Sequence, residues 1–206
     1  MQQTQSAVSV QQPVPQQHQQ TGPVSVVFVQ QPVLQQQQQS EPILPHWQPP
    51  SVGRSKCNID AAFSDHFQRT GIGICVRDDS GTFVLAKVHQ FNNIYPVAIG
   101  EALGLYHALQ WMKDMQFDHV YFEVDSKITR DAFHFRTTDV TEFGNIIGAC
   151  RDLFFTSFTN SRVEFIRRQA NAAAHALARE ATSLASPNIY HVIPYCIKAI
   201  IINEML

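Results

Sequence analysis

Apolar and polar residues alternate along the chain directly after Pro50, and this period of two is typical of half-buried β-strands. The alternation predicts three successive strands, at residues 56–63, 71–77 and 82–91. The sequence D-D-S-G at residues 78–81 separates the second strand from the third and favours a tight hairpin turn. We therefore expect three consecutive antiparallel strands.

The period changes to the 3.6 residues of a helix at residues 97–115, which follow Pro96. One face of this predicted helix is apolar and carries Ala98, Ala102, Leu105, Leu109 and Met112. A fourth strand, H-V-Y-F-E-V-D at residues 119–125, comes next. A strand, a helix and a further strand in this order predict a β-α-β unit with a parallel strand pair.

The rest of the chain continues the alternation of helices and strands. The pattern predicts helices at 126–135 and 143–155, a fifth strand at 162–167, an alanine-rich helix at 170–184 and an apolar tail at 190–202 that docks as a short helix. The predicted fold class is therefore α/β, with a five-stranded mixed sheet and helices on both of its faces.

Composition separates the first 50 residues from this pattern. They hold 17 Gln and 8 of the 11 Pro but only one charged side chain, Glu41. Such a segment buries too little apolar surface to offset the entropy of ordering its backbone, so we expect residues 1–50 to be a disordered, low-complexity leader. An interaction segment for a protein partner is the alternative. Residues 51–206 then form one domain.

Charge and cysteine content narrow the class of protein further. The net charge of −2 gives no global positive field that would attract nucleic acid or a membrane surface. No signal-peptide pattern opens the chain, no apolar stretch has the length of a membrane span, and the four cysteines form no C-x-x-C pair. We therefore expect an intracellular protein of the nucleus or cytoplasm that does not contact membranes and is a monomer.

Three acidic residues occupy positions that packing alone does not favour. Asp60 lies inside the first strand, Glu101 interrupts an apolar helical face, and Asp125 ends the fourth strand. If the first and fourth strands are neighbours, the three carboxylates converge and repel one another unless cations neutralise them. Oxygen-only ligands select Mg²⁺ or Mn²⁺, and two such ions support phosphodiester hydrolysis.

Each of these acids also has a purely structural interpretation. Asp60 could be a polar residue of an edge strand, Glu101 a favourable charge in the first turn of a helix, and Asp125 a helix N-cap. The residues alone leave both interpretations open.

Five motifs in a fixed order carry a resemblance to a known family. They are N-I-D-A-A-F at 58–63, G-I-G-I-C-V-R-D at 71–78, G-E-A-L-G-L-Y-H-A-L at 100–109, F-E-V-D-S-K at 122–127 and R-Q-A-N-A-A-A-H-A-L-A-R at 168–179. Together they resemble the type-1 ribonuclease H family, above all the reverse-transcriptase-associated, retroelement-derived domains abundant in plant genomes. The resemblance covers residues 47–206 and implies a ribonuclease H-like fold.

The resemblance also implies an activity, which is endonucleolytic cleavage of the RNA strand of an RNA·DNA hybrid with two Mg²⁺ (or Mn²⁺) ions. Asp60 matches the acid that bridges both ions, and Glu101 and Asp125 match the acids that complete the shell of one. The fourth catalytic position, an acid in the family, is His175 here. Arg168 and Asn171 are the expected contacts to nucleic acid.

His175 leaves two functions open, because an imidazole is a poorer ligand for Mg²⁺ than a carboxylate. The first function is an active ribonuclease, weakened by the missing charge. The alternative is a domesticated, inactive fold that binds nucleic acid or a protein partner through the Gln-rich leader. His175 itself is expected to be a site-facing ligand or proton carrier, or else a solvent-exposed residue without a role.

Overall fold

The computed structural model describes residues 46–135 and 138–205. Residues 1–45, which make up most of the predicted disordered leader, lie outside the described residues. Within the described part, Trp47 is buried, and its indole Nε1 donates a hydrogen bond to Asn58 Oδ1 at 2.9 Å. The packed residues therefore extend at least to Trp47, four residues before the predicted start of the domain.

The described strands and helices follow the predicted order, with one additional strand between the last two helices. The strands are β1 (Ser55–Ser64), β2 (Arg69–Arg77), β3 (Phe83–Phe91), β4 (Val120–Val124), β5 (Arg162–Phe165) and β6 (Asn188–Tyr190). The helices are α1 (Val97–Asp114), α2 (Lys127–His134), α3 (Glu142–Ser157), α4 (Ala172–Ala181) and α5 (Tyr195–Glu204), with a 3₁₀ turn at Arg168–Asn171 before α4.

Within the described residues the sheet has six strands in the order β5-β4-β1-β2-β3-β6, so the predicted number of five is wrong. β1, β2 and β3 are antiparallel neighbours, as expected, while β4 and β5 run parallel to β1. The sixth strand, Asn188–Tyr190, pairs with the edge of β3 just before helix α5. Three residues are too few to show an alternating pattern, so only the free edge of β3 decides that they pair.

A hydrophobic core lies on each face of the sheet. On one face α1 and α3 pack over β1, β2 and β4, with residues such as Ile59, Leu105 and Phe122 fully buried. On the other face α4 and α5 cover β2 and β3 around Cys75, Leu177 and Ile197. Helices on both faces are thereby confirmed, and the two layers hold the sheet between them.

Two glycines of β2 let α4 lie directly on the strand backbone. A Cβ atom added to Gly73 would lie 2.3 Å from the carbonyl oxygen of Ala174, and one added to Gly71 would lie 2.3 Å from that of Ala178. No side chain fits into such contacts. This close approach places the first turns of α4, including His175, next to β1.

Among the helices of residues 46–135 and 138–205, none combines the length and the apolar character that crossing a membrane requires.

Candidate metal centre

Three carboxylates meet at the carboxyl end of the parallel strands. Asp60 lies in the second half of β1, and the register that pairs Ile59 with Val124 places it beside Asp125, the first residue after β4. Glu101 lies in the first two turns of α1. One oxygen atom from each of the three side chains lies within 4.8 Å of the others. The predicted convergence of Asp60, Glu101 and Asp125 is therefore present.

The surroundings of these carboxylates oppose their charge. Asp60 is 1% exposed and Glu101 is 8% exposed, and Asp125 Oδ2 is buried with no hydrogen-bond partner among the described residues. Burial, followed by repulsion from Asp125, raises the pKa of Asp60 to about 8. Burial, followed by repulsion from Asp60 and Asp125, raises the pKa of Glu101 to about 9. The cluster therefore holds its negative charges only at a cost in free energy.

A hard divalent cation fits this donor set. All three ligand atoms are carboxylate oxygens, which Mg²⁺ and Mn²⁺ prefer, and they lie close enough to share one ion. A bound cation would give the unpaired oxygen of Asp125 a partner, and its positive charge would lower the raised pKa values of Asp60 and Glu101. A purely structural interpretation, such as an edge-strand Asp60, does not explain the convergence.

His175 faces the carboxylates. Its Nδ1 atom lies 2.6 Å from Oδ2 of Asp60, and its side chain is 28% exposed. Partial burial, followed by the nearby cations of Arg168 and Arg179, lowers the pKa of the imidazole. Burial therefore disfavours the charged form of both partners of this contact. His175 is thus in contact with the site and is not a free surface residue.

Arg168 lies at the rim of the cluster, at the start of the 3₁₀ turn. Its Nη2 atom is 3.1 Å and 3.2 Å from the two ring nitrogens of His175, and the residue is exposed. Its positive charge lowers the pKa values of Asp60 and Glu101, although burial and repulsion outweigh it. An exposed guanidinium beside the acids is available to a phosphate group. The expected contact of Arg168 with nucleic acid stays a prediction.

Asn171 is not a surface residue. The residue is fully buried, and its Nδ2 donates a hydrogen bond to the carbonyl oxygen of Ile59 at 2.8 Å. This bond ties the start of α4 to the β1 residue next to Asp60. The amide nitrogen is therefore engaged within the protein. The expected contact of Asn171 with nucleic acid stays a prediction.

Sequence reasoning missed a second row of polar residues on the same face of the sheet. Glu123, two residues before Asp125, is buried, and its carboxylate lies 2.6 Å from Nζ of Lys56. Asn58, two residues before Asp60, donates a hydrogen bond to Glu123 at 2.9 Å. These contacts link β1 to β4 at positions two residues before Asp60 and Asp125. An acid inside the apolar run V-Y-F-E-V was the available signal.

The comparisons with known proteins agree with this geometry. A family model described as reverse transcriptase-like matches residues 58–181, more than half of the 206 residues. No curated protein matches the chain.

Solved structures show the same fold. RNase H1 from the halophilic archaeon Halobacterium salinarum NRC-1 is similar with a TM-score of 0.55 and 23% identity, over 63% of this chain and 97% of that one. LC11-RNase H1 in complex with an RNA/DNA hybrid has a TM-score of 0.55 and 17% identity, over 63% and 96%. The N-terminal RNase H domain of a Mycobacterium tuberculosis protein has a TM-score of 0.54 and 17% identity, over 63% and 93%. At these identities the likenesses show the fold alone.

The matched residues 58–181 include all three acids, His175 and the sheet that brings them together. The family match and the shared fold together show that the chain belongs to the reverse transcriptase-like family of ribonuclease H-like domains.

Proposed function

We propose that this domain is a metal-dependent endoribonuclease that cleaves the RNA strand of RNA·DNA hybrids. The observation that carries the proposal is the cluster of Asp60, Glu101 and Asp125, in which one oxygen atom from each side chain lies within 4.8 Å of the others at the carboxyl end of the parallel strands. The choice of substrate is supported by the fold of LC11-RNase H1, which is known in complex with an RNA/DNA hybrid.

Asp60, Glu101 and Asp125 would hold the divalent ions, and the family resemblance implies two. A bound ion of this kind activates water and stabilises the developing charge on a phosphodiester. The resemblance implies that Asp60 would contact both ions, and its carboxylate lies within reach of those of Glu101 and Asp125. Arg168 presents its exposed guanidinium at the rim, where it would bind and orient the phosphate.

His175 occupies the position at which the family has a fourth acid. Its Nδ1 contacts Asp60, so the imidazole can hold or release a proton next to the carboxylate cluster. It adds no negative charge, however, and a neutral imidazole suits Mn²⁺ better than Mg²⁺. We therefore expect weak cleavage that is stronger with Mn²⁺ than with Mg²⁺.

One observation favours a second candidate function, an inactive module that binds nucleic acid or, through its Gln-rich leader, a protein. The 2.6 Å contact with His175 engages Oδ2 of Asp60, one of the two oxygens that this carboxylate could offer to metal ions. If this contact persists when metal is added, the carboxylates cannot complete a two-ion site.

Cleavage of a labelled RNA·DNA hybrid by the 206-residue chain separates the two functions. We expect RNA-strand products with Mn²⁺, fewer with Mg²⁺ and none with EDTA. The Asp60→Asn variant is the matched control, because it keeps the side-chain volume and removes the charge. Absence of products with either ion, at protein concentrations that saturate the hybrid, would favour the inactive module.

A further inference from the structure

The second row of polar residues forms a buried network on the sheet face that carries Asp60. Its centre is the pair of Asn58 and Glu123, which are direct partners in the parallel register of β1 and β4. Asn58 is fully buried, and Glu123 is 2% exposed. Asn58 Nδ2 donates a hydrogen bond of 2.9 Å to Glu123 Oε2. The two strands are therefore joined through side chains as well as through their backbones.

The orientation of the Asn58 amide is determined by groups that can only donate hydrogen bonds. The indole Nε1 of Trp47 donates to Asn58 Oδ1 at 2.9 Å, and Nη2 of Arg77 donates to the same oxygen at 3.3 Å. Neither an indole nor a guanidinium offers an acceptor atom. The amide oxygen must therefore face Trp47 and Arg77, which leaves the amide nitrogen to face Glu123.

The charged members of the network occur in opposite pairs. Oε1 of Glu123 lies 2.6 Å from Nζ of Lys56 in β1, so both oxygens of this carboxylate are engaged. Nη1 of Arg77 lies 2.5 Å from the carboxylate of Glu204. The two cations and the two anions cancel, so the network brings no net formal charge to the carboxylate cluster. Its effect on the cluster is therefore one of geometry rather than of charge.

The network lies directly beside the metal ligands along both strands. Successive side chains of a strand alternate between faces, so Asn58 shares its face with Asp60, about 7 Å further along β1. Glu123 precedes Asp125 by the same two residues. A shift of β1 against β4 by one residue would break the bond between Asn58 and Glu123. The same shift would turn the two ligands away from each other.

We propose that Asn58 and Glu123 are positioning residues of the metal centre, whose hydrogen bond holds β1 and β4 in the register that brings the carboxylate ligands of the two strands together. The inference rests on the proposed metal-dependent function and adds residues that act on the ligands without touching the metal. Trp47, which orients the Asn58 amide, lies outside residues 58–181 that match the family model. A segment of this chain beyond that match therefore completes the network.

The affinity of the 206-residue chain for Mn²⁺, measured by isothermal titration calorimetry, tests this role without substrate or turnover. We expect Asn58→Ala, which changes no charge, to weaken Mn²⁺ binding roughly tenfold, because groups that orient metal ligands contribute about that much to affinity. Leu85→Ala is the matched control for lost stability, since Leu85 is buried in β3 and packs in the core on the opposite face of the sheet. It should lower the urea midpoint but change Mn²⁺ affinity by less than about twofold.

Further variants separate the hydrogen bond from charge and from proximity to the ligands. Trp47→Phe keeps an aromatic ring and removes only the indole donor, so it should also weaken Mn²⁺ binding, and it decides the test if Asn58→Ala does not fold. Lys56→Met with Glu123→Gln removes a cation and an anion together but keeps an acceptor for Asn58, so Mn²⁺ affinity should stay within about twofold of the wild type. Lys56→Met with Glu123→Leu makes the same change in charge without an acceptor and should weaken binding roughly tenfold.

The outcomes separate the positioning role from the proposed nuclease. Mn²⁺ binding that depends on Asn58 in a chain that cleaves nothing supports the positioning role and overturns the nuclease. Mn²⁺ affinities of Asn58→Ala and Trp47→Phe that both equal that of Leu85→Ala overturn the positioning role and leave the nuclease in place. Equal affinities of the two double variants would likewise contradict a role for the hydrogen bond. Absence of Mn²⁺ binding by the wild type overturns both proposals.

Discussion

At the scale of single residues, the carboxylate cluster places a local cost on folding. Asp60 and Glu101 have ordinary pKa values in the unfolded chain but values of about 8 and about 9 in the folded one. Both acids are protonated in either state below about pH 4, so the folded state then carries no penalty. Between about pH 4 and pH 9 the unfolded chain loses these protons more readily, so the stability of the metal-free protein falls as the pH rises.

We therefore predict that Asp60→Asn stabilises the metal-free protein at pH 7 to 8. At this pH the unfolded chain ionises Asp60 freely while burial and repulsion in the folded state oppose its ionisation, so replacing the acid should raise the free energy of unfolding by ~1–3 kcal/mol. Urea denaturation in EDTA at pH 4 and at pH 8 measures the effect, which should vanish at the lower pH. The same variant should lose the stabilisation that added Mn²⁺ gives to the wild type. An equal gain at both pH values would contradict the electrostatic explanation.

His175 allows a gain-of-function test. His175→Asp places a carboxylate beside Asp60 and supplies the missing negative charge, so we expect Mg²⁺-supported cleavage of an RNA·DNA hybrid to increase at least tenfold. The increase with Mn²⁺ should be smaller, since the imidazole already serves that ion better. His175→Ala should lower the activity of the native site. Mg²⁺-supported cleavage that is strong in the wild type and unchanged in His175→Ala would show that position 175 does not limit the reaction.

At the scale of the elements, the contact between β2 and α4 decides where His175 and Asn171 lie. Helix α4 rests on a strand that carries glycine where a side chain would collide with its backbone. The hydrogen bond from Asn171 to the carbonyl oxygen of Ile59 then fixes the start of this helix against β1. The distance between His175 and Asp60 is thus set by the direct packing of α4 on β2 and by the hydrogen bond that ties the start of α4 to β1.

We predict that Gly73→Ala destabilises the protein and separates His175 from Asp60. The new methyl group would lie 2.3 Å from the backbone of Ala174 and of Ala178, so α4 has to shift, at a cost of ~2–4 kcal/mol. Urea denaturation measures the cost. Gly148→Ala in α3 is the control, because its Cβ would meet nothing within 4 Å in the described part of the chain. That control should stabilise the helix by ~0.5–1 kcal/mol, and a similar gain at Gly73 would contradict the close packing.

At the scale of the whole molecule, a buried arginine joins the first and last described segments to the sheet. Arg77 in β2 is fully buried, and its Nη1 lies 2.5 Å from the carboxylate of Glu204 at the end of α5. Its guanidinium also stacks on the ring of Trp47, 3.3 Å from the ring centroid. Asn58 accepts a further hydrogen bond from Arg77 at 3.3 Å and connects this group to the row of polar residues below the carboxylates.

We predict that Glu204→Gln lowers the free energy of unfolding by ~2–4 kcal/mol, because it leaves the buried charge of Arg77 without its anionic partner. Urea denaturation, followed by the fluorescence of the two tryptophans, measures the loss. Asp152→Asn, at an exposed position of α3, should change stability by less than ~0.5 kcal/mol. A loss no larger than that of the control would mean that Trp47 and Asn58 alone satisfy Arg77.

The sequence by itself determined the order of the strands and helices, because the periods of two and 3.6 residues record which side chains face a core. It also predicted that Asp60 and Asp125 lie side by side if β1 and β4 are neighbours, whereas the strand order that makes them neighbours is a property of the tertiary structure. Only the tertiary structure decided that Asn188–Tyr190 form a sixth strand, that the amide of Asn171 turns inward to Ile59, and that His175 contacts Asp60. These features depend on a free strand edge and on the close approach of α4 to β2. Contacts of this kind join residues far apart in the chain, and no local periodicity encodes them.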